Sequence, residues 1–90
     1  MKKIKPNLFS KRVYAVVATI KKGATMTYKQ VAARAGNPKA ARAVGMLMSK
    51  NHNPKIPCHR VVRSDGKESG YNQGGWTRKV KRLREEGVMI

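Results

Sequence analysis

Cysteine, histidine and acidic side chains are scarce in this chain, and each scarcity excludes something. Cys58 is the only cysteine, so no internal disulfide can form. His52 and His59 are the only histidines, so cysteine and histidine alone cannot supply the four ligands of an ordinary zinc site. A free thiol without disulfides suits reducing, cytoplasmic surroundings. The acids are Asp65, Glu68, Glu85 and Glu86, against 21 lysines and arginines, for a net charge of +17. The basic residues are spread through the chain rather than gathered in one tail, so the folded domain should carry a positive field that draws nucleic acid. Ribosomal and membrane-surface proteins share such a balance, and charge says nothing of sequence preference or chemistry. Long apolar runs are missing too. Val13 to Ile20 is short and follows Lys11-Arg12, which reads as a helix rather than a signal peptide, and no stretch nears the roughly 20 residues a bilayer span needs. The 90 residues are expected to form one domain, 1–90, with a modest core.

Residues 1 to 7 read as a basic, loose or extended lead-in. From Leu8, the residues Phe9, Val13, Val16, Val17 and Ile20 share one helical face, and Lys21-Lys22-Gly23 ends that helix. Thr27-Tyr28-Lys29-Gln30 has the form of a capping box and opens a short helix to Ala35. Gly36-Asn37-Pro38 stops it and starts another, with Asn37 as N-cap and Pro38 at the first helical position, running to about Lys50. Two short helices around a glycine turn predict a helix-turn-helix.

A loop through Pro54 and Pro57 leads to Cys58. Val61-Val62-Arg63 is expected as a strand, Asp65-Gly66 as a two-residue turn, and Lys67 to Tyr71 as the returning strand, forming a wing. In the last helix Trp76, Val80 and Leu83 share a face, while Arg78, Lys79, Lys81, Arg82 and Arg84 read as a solvated surface. Gly87 caps its end. The fold class is thus mainly α, a winged helix-turn-helix with a short β-hairpin wing.

Chemistry concentrates in Ile56-Pro57-Cys58-His59-Arg60-Val61-Val62. Imidazole and guanidinium beside a thiol make the electropositive type of setting that favours thiolate chemistry. An isolated buried cysteine is more often simply a small core residue, so further motifs must decide.

Those motifs are the Pro57-to-Val61 run, Gly-Asn-Pro-Lys-Ala-Ala-Arg-Ala-Val-Gly at 36 to 45, Tyr28, Gly-Tyr-x-x-Gly-Gly at 70 to 75, and Glu86 before Gly87. Together, over residues 8 to 87, they resemble the O6-alkylguanine-DNA alkyltransferases, the methylated-DNA–protein-cysteine methyltransferases, and specifically their C-terminal catalytic domain. The resemblance implies a monomer that binds duplex DNA through the minor groove and turns the damaged guanine into a pocket. It then moves the alkyl group irreversibly onto Cys58. No cofactor or metal is implied.

By the same resemblance His59 is the base, acting through a water, and Glu86 holds its other ring nitrogen, with Glu85 a neighbouring substitute. Tyr28 hydrogen-bonds the flipped base and helps protonate the leaving guanine. Arg42 fills the vacated stack, with Lys39, Ala41, Arg60 and Tyr28 also at the DNA. Cys58 and Val61 present backbone to the guanine edge, and Tyr71 and Asn72 belong to the loop over the pocket. Asn51, or else Asn53, matches a structural asparagine. The sequence is expected to depart from the family pattern by having no N-terminal domain of the kind many relatives carry, and it differs in a shortened loop before Pro57, in Lys21 for a common proline, and in Trp76 for a smaller aliphatic residue. Two other readings stand beside this one: a non-enzymatic alkyltransferase-like lesion sensor, in which the motif cysteine is commonly tryptophan, and a winged-helix transcription factor, for which Cys58-His59 has no use.

Overall fold

A computed structural model describes residues 7–90, so most of the lead-in expected over 1–7 lies outside them, and its last residue, Asn7, already opens the first helix. Helix α1 (Asn7–Ala18) buries Val13 and Val17, and Ile20 follows in the turn that closes it. The chain then forms β1 (Met26–Thr27), α2 (Tyr28–Arg34), α3 (Ala41–Lys50), one 3₁₀ turn (Cys58–Arg60), β2 (Val61–Val62) and α4 (Gly75–Glu85). Val13, Val17, Val31, Ala32, Val44 and Val61 are all fully buried together and form the centre of the core. Branched and small side chains here let three short helices approach closely.

The capping box at α2 is complete: the Gln30 N–H donates to Thr27 Oγ1 at 3.0 Å, and the Thr27 N–H donates to Gln30 Oε1 at 2.9 Å. The helix closes on Gly36, φ +101°, with the Asn37 N–H returning to the Ala32 carbonyl and the Gly36 N–H to that of Ala33. This left-handed residue reverses the chain between α2 and α3.

Three expectations need correcting. Helix α3 begins at Ala41, not at Pro38. Asn37 does accept the Lys39 N–H at 3.2 Å, and the Ala40 N–H closes a turn on the Asn37 carbonyl. Ala40, at φ −102° and ψ +29°, lies outside the helical range and serves as the N-cap, so the helical ladder starts only after it.

The wing is the second. The chain does turn here, but one residue earlier than expected, around Ser64-Asp65, with the Gly66 N–H on the Arg63 carbonyl and the Lys67 N–H on Asp65 Oδ1. Residues 67–71 form no strand, however, because Ser69 and the Gly70 carbonyl are taken by Lys79 of α4. Strand β2 pairs instead with β1, in parallel, Met26 opposite Val61 and Thr27 opposite Val62. Among the described residues two strands are present, but they do not form a hairpin.

The third concerns α4, whose buried face is Lys79 and Leu83, with Trp76 and Val80 only half-buried. Lys79, expected in solvent, is 1% exposed.

Candidate active site

The parallel strand pair sets the site. Tyr28 follows β1 directly and Cys58 begins the 3₁₀ turn that runs into β2, so the pairing that joins the strands brings the two residues to one pocket. That pocket has a volume of about 470 Å³ and is walled by Tyr28, Gly45, Ser49, Cys58, Ser69 and Tyr71, among others. The size is ordinary for a small-molecule site. Gly45 keeps the wall thin, since a Cβ there would already touch the Tyr28 ring at 3.9 Å.

Cys58 is 5% exposed, with its N–H held by the Ile56 carbonyl at 2.8 Å. Behind it, His59 Nε2 lies 3.0 Å from Glu86 Oε2. Arg60 grips the same carboxylate with both ends of its guanidinium, Nε to Oε1 at 2.9 Å and Nη2 to Oε2 at 2.8 Å, while Nη1 donates to the Ile20 carbonyl at 2.7 Å. The Arg60 hydrogen bond, seconded by His59, holds the Glu86 carboxyl down to about 2, against the desolvation that would raise it. An ionised Glu86 only accepts, so His59 Nε2 carries the proton and Nδ1 keeps its lone pair. Burial lowers the His59 pKa, partly opposed by the Glu86 hydrogen bond, so the ring is neutral at pH 7.

Glu86 reaches His59 because α4 ends in a left-handed closure on Gly87, φ +92°, with the Val88 N–H on the Leu83 carbonyl and the Gly87 N–H on that of Arg84. Glu85 is exposed and takes no part. A second, polar cavity of about 60 Å³ touches both Cys58 and His59, and its walls include Tyr71 and Arg82. It has room for about two waters.

Across the pocket, Lys79 Nζ donates to Ser69 Oγ at 2.9 Å, Tyr28 Oη at 3.2 Å and the Gly70 carbonyl at 3.3 Å. Burial pulls its pKa down from 10.5 to about 8, and negative charge, were it to form on Cys58, would act the other way. Burial also raises that of Tyr28, opposed only in part by its hydrogen bond with Ser69. Composition made Lys79 look like a surface charge, yet it lies four residues before Leu83, one turn along the buried face. That spacing was the available signal.

The remaining expected residues are distributed as follows. Asn72 donates from Nδ2 to the Ser49 and Asn51 carbonyls at 2.8 and 2.7 Å, pinning the pocket loop to the end of α3. The Tyr71 hydroxyl accepts from Arg82 at 2.6 Å, and its ring meets His59 edge-on at 6.3 Å. Asn51 is buried behind the pocket, not in it, and shapes the loop to Pro57 by donating to the Ile56 carbonyl at 3.1 Å and accepting the Asn53 N–H. Asn53 is exposed. Val61 is fully buried in β2, Lys39 and Arg42 are exposed, and Ala41 is half-buried. The Arg60 guanidinium is turned inward to Glu86 rather than outward with Arg42.

Fold and site together define a helix-turn-helix domain with a thiol pocket behind its second helix. The family described as "6-O-methylguanine DNA methyltransferase, DNA binding domain" matches residues 8–88, and the chain belongs to that family. The methylated-DNA–protein-cysteine methyltransferase of Rattus norvegicus is 49% identical over 82 residues, covering 89% of this chain and 39% of the relative. Among solved structures, Mycobacterium tuberculosis OGT in complex with DNA superposes with a TM-score of 0.82 at 38% identity, covering 94% of this chain and 51% of that one. S. pombe Atl1 in complex with damaged DNA containing O6-carboxymethylguanine gives 0.82 at 34% identity, covering 97% and 82%. The chain thus spans well under half the length of the rat relative.

Proposed function

We propose that this chain repairs O6-alkylguanine in duplex DNA by taking the alkyl group onto Cys58, once per molecule. The observation that carries the reading is Cys58 on the wall of a base-sized pocket, with the His59–Glu86 pair behind it and the Tyr28–Lys79 pair across it.

The chemistry is a displacement at saturated carbon. His59 Nδ1, through water in the small polar cavity, takes the Cys58 proton, and Glu86 stabilises the imidazolium that results. The sulfur attacks the alkyl carbon, the S–C bond forms as the C–O6 bond breaks, and the electron pair departs with guanine. Tyr28 offers the proton that neutralises the leaving base, and the Lys79 ammonium on its oxygen makes that proton easier to give. A thioether has no leaving group suited to reversal.

The basic surface draws the duplex, α3 enters the minor groove, and Arg42 occupies the gap left by the extruded base, offsetting part of the unstacking cost. The protein acts as a monomer in a reducing, cytoplasmic setting that keeps the thiol free. The similarity to Atl1 supports a second reading, lesion binding without transfer, and the retained Cys58 argues against it.

Intact-protein mass after incubation with a duplex containing O6-methylguanine decides between them. A single methyl gain on Cys58, lost in Cys58→Ala while binding persists, is the expected result. Tight lesion binding with no mass change would leave the sensor reading in its place.

A further inference from the structure

The outward stripe of α3 consists of Arg42, Ala43, Met46, Ser49 and Lys50. Four of these are charged, small or hydroxylic, as expected of a helix face in water. Met46 is the exception. It is 57% exposed, whereas Met48 on the same helix is packed into the core at 5%. A large apolar side chain held in water gains nothing until something covers it.

Its position identifies the cover. Met46 lies four residues after Arg42, one turn along the same face. Its neighbour Gly45 and, three residues on, Ser49 both line the Cys58 pocket. Ser49 Oγ also donates to the Met46 carbonyl at 2.6 Å, which ties this turn of backbone together. Along the helix, Met46 therefore falls between the exposed Arg42 and the pocket-lining Ser49, on a domain whose net charge of +17 draws polyanions.

We infer that Met46 is an apolar wedge for the duplex. Its side chain enters the minor groove beside the extruded nucleotide and packs on sugar and base-edge surface that the departing base uncovers. The inference rests on the base-extruding reading above. Lysine and arginine hold any duplex through its phosphates. An apolar wedge gains contact only where bases have unstacked, and methionine is among the residues minor-groove proteins use this way. Its unbranched, polarizable chain adapts to an irregular gap.

The test compares Met46→Ala and Met46→Gln with the wild type, and Met46→Leu as the conservative variant. Transfer to Cys58 is timed from an O6-methylguanine duplex and from free O6-benzylguanine, and extrusion is followed by 2-aminopurine fluorescence in the duplex. The Ala and Gln variants should react about tenfold more slowly with the duplex, show weaker fluorescence gain, and match the wild type on the free base. Met46→Leu should restore most of the duplex rate. An unchanged duplex rate, or equal losses on both substrates, overturns the wedge. Should the wild type transfer nothing, the repair reading falls, and the wedge is then judged by the ratio of dissociation constants for undamaged and lesion-bearing duplex. A ratio about tenfold smaller in Met46→Ala supports it; an unchanged ratio overturns it.

Discussion

Charge is handled in opposite ways on the two sides of Cys58. Behind it, His59, Arg60 and Glu86 form a closed cluster in which both carboxylate oxygens and three guanidinium nitrogens are engaged. Across the pocket, the Lys79 ammonium is held by three neutral oxygens and the face of the Tyr28 ring, 5.5 Å from its centroid, and among the described residues no carboxylate pairs with it. The first side is compensated at rest, so it fixes geometry and adds stability. The second is not, and a buried cation without an anion costs stability. Such a cation is suited to negative charge that appears during a reaction, on sulfur or on the departing base.

Removing Glu86 should have the largest effect. Glu86→Ala leaves a buried imidazole without its orienting partner and a half-buried guanidinium without its counter-charge. Chemical denaturation should show a loss of about 3 kcal/mol. Transfer should fall at least about a hundredfold where the variant is still folded. If stability barely moves, the cluster is not the compensated unit described.

Lys79→Met should separate the two sides. It keeps length and burial while deleting the charge, so stability should stay within about 1 kcal/mol of wild type or rise. Transfer should nonetheless fall about ten- to a hundredfold, the worth of a charge-assisted hydrogen bond. Stability should rise with pH on both limbs, for opposite reasons: the folded state gains a favourable charge on the acid limb and sheds an unfavourable one on the basic limb. Glu86 has its folded pKa depressed from 4.5 to about 2, so its contribution is present above 4.5 and is lost as pH falls toward 2. Lys79 has its folded pKa depressed from 10.5 to about 8, so the unfolded chain holds more protons between them and stability rises with pH through that window. Lys79→Met should abolish that rise. The ratio of wild-type to Lys79→Met transfer rates should hold steady below pH 8 and decline above it, as the ammonium neutralises. A ratio independent of pH would remove Lys79 from the chemistry.

The same contrast explains what was legible in the sequence. The capping box at Thr27, the glycine turn at Gly36 and the helix closure at Gly87 are local hydrogen-bond devices, and each forms where its residues predict it. Two-residue strands are not local. The expected turn forms one residue early, at Ser64-Asp65, and the partner of Val61-Val62 was decided by Lys79 holding Ser69 and Gly70 against α4, which left β1 as the open edge. Ala40 delays the start of α3 through a backbone angle that its side chain does not announce. Within the site, Cys58, His59 and Arg60 are contiguous and conspicuous. Nothing in spacing brings Glu86 to His59, 27 residues away, and only the family resemblance does so. Lys79 was hidden by its company. In a helix with five basic residues it reads as one more surface charge, and only its register with Leu83 distinguishes it.

The smallest expected effect tests how the pocket loop is joined to both sides. Asn72 spends both amide hydrogens on carbonyls at the end of α3, beside the Tyr71 hydroxyl that accepts from Arg82. The side chain is exposed, so water can replace part of what it supplies, and Asn72→Ala should cost only about 1 kcal/mol by denaturation. The loop carries Tyr71, whose ring lies edge-on to His59, so loosening it disturbs the orientation of the base more than the net charge of either side. Transfer from the duplex should therefore drop several-fold while the Glu86 acid limb and the Lys79 alkaline limb keep their positions. A shift of either limb in Asn72→Ala would mean that the loop, and not the ion cluster or the buried lysine, sets that side's electrostatics.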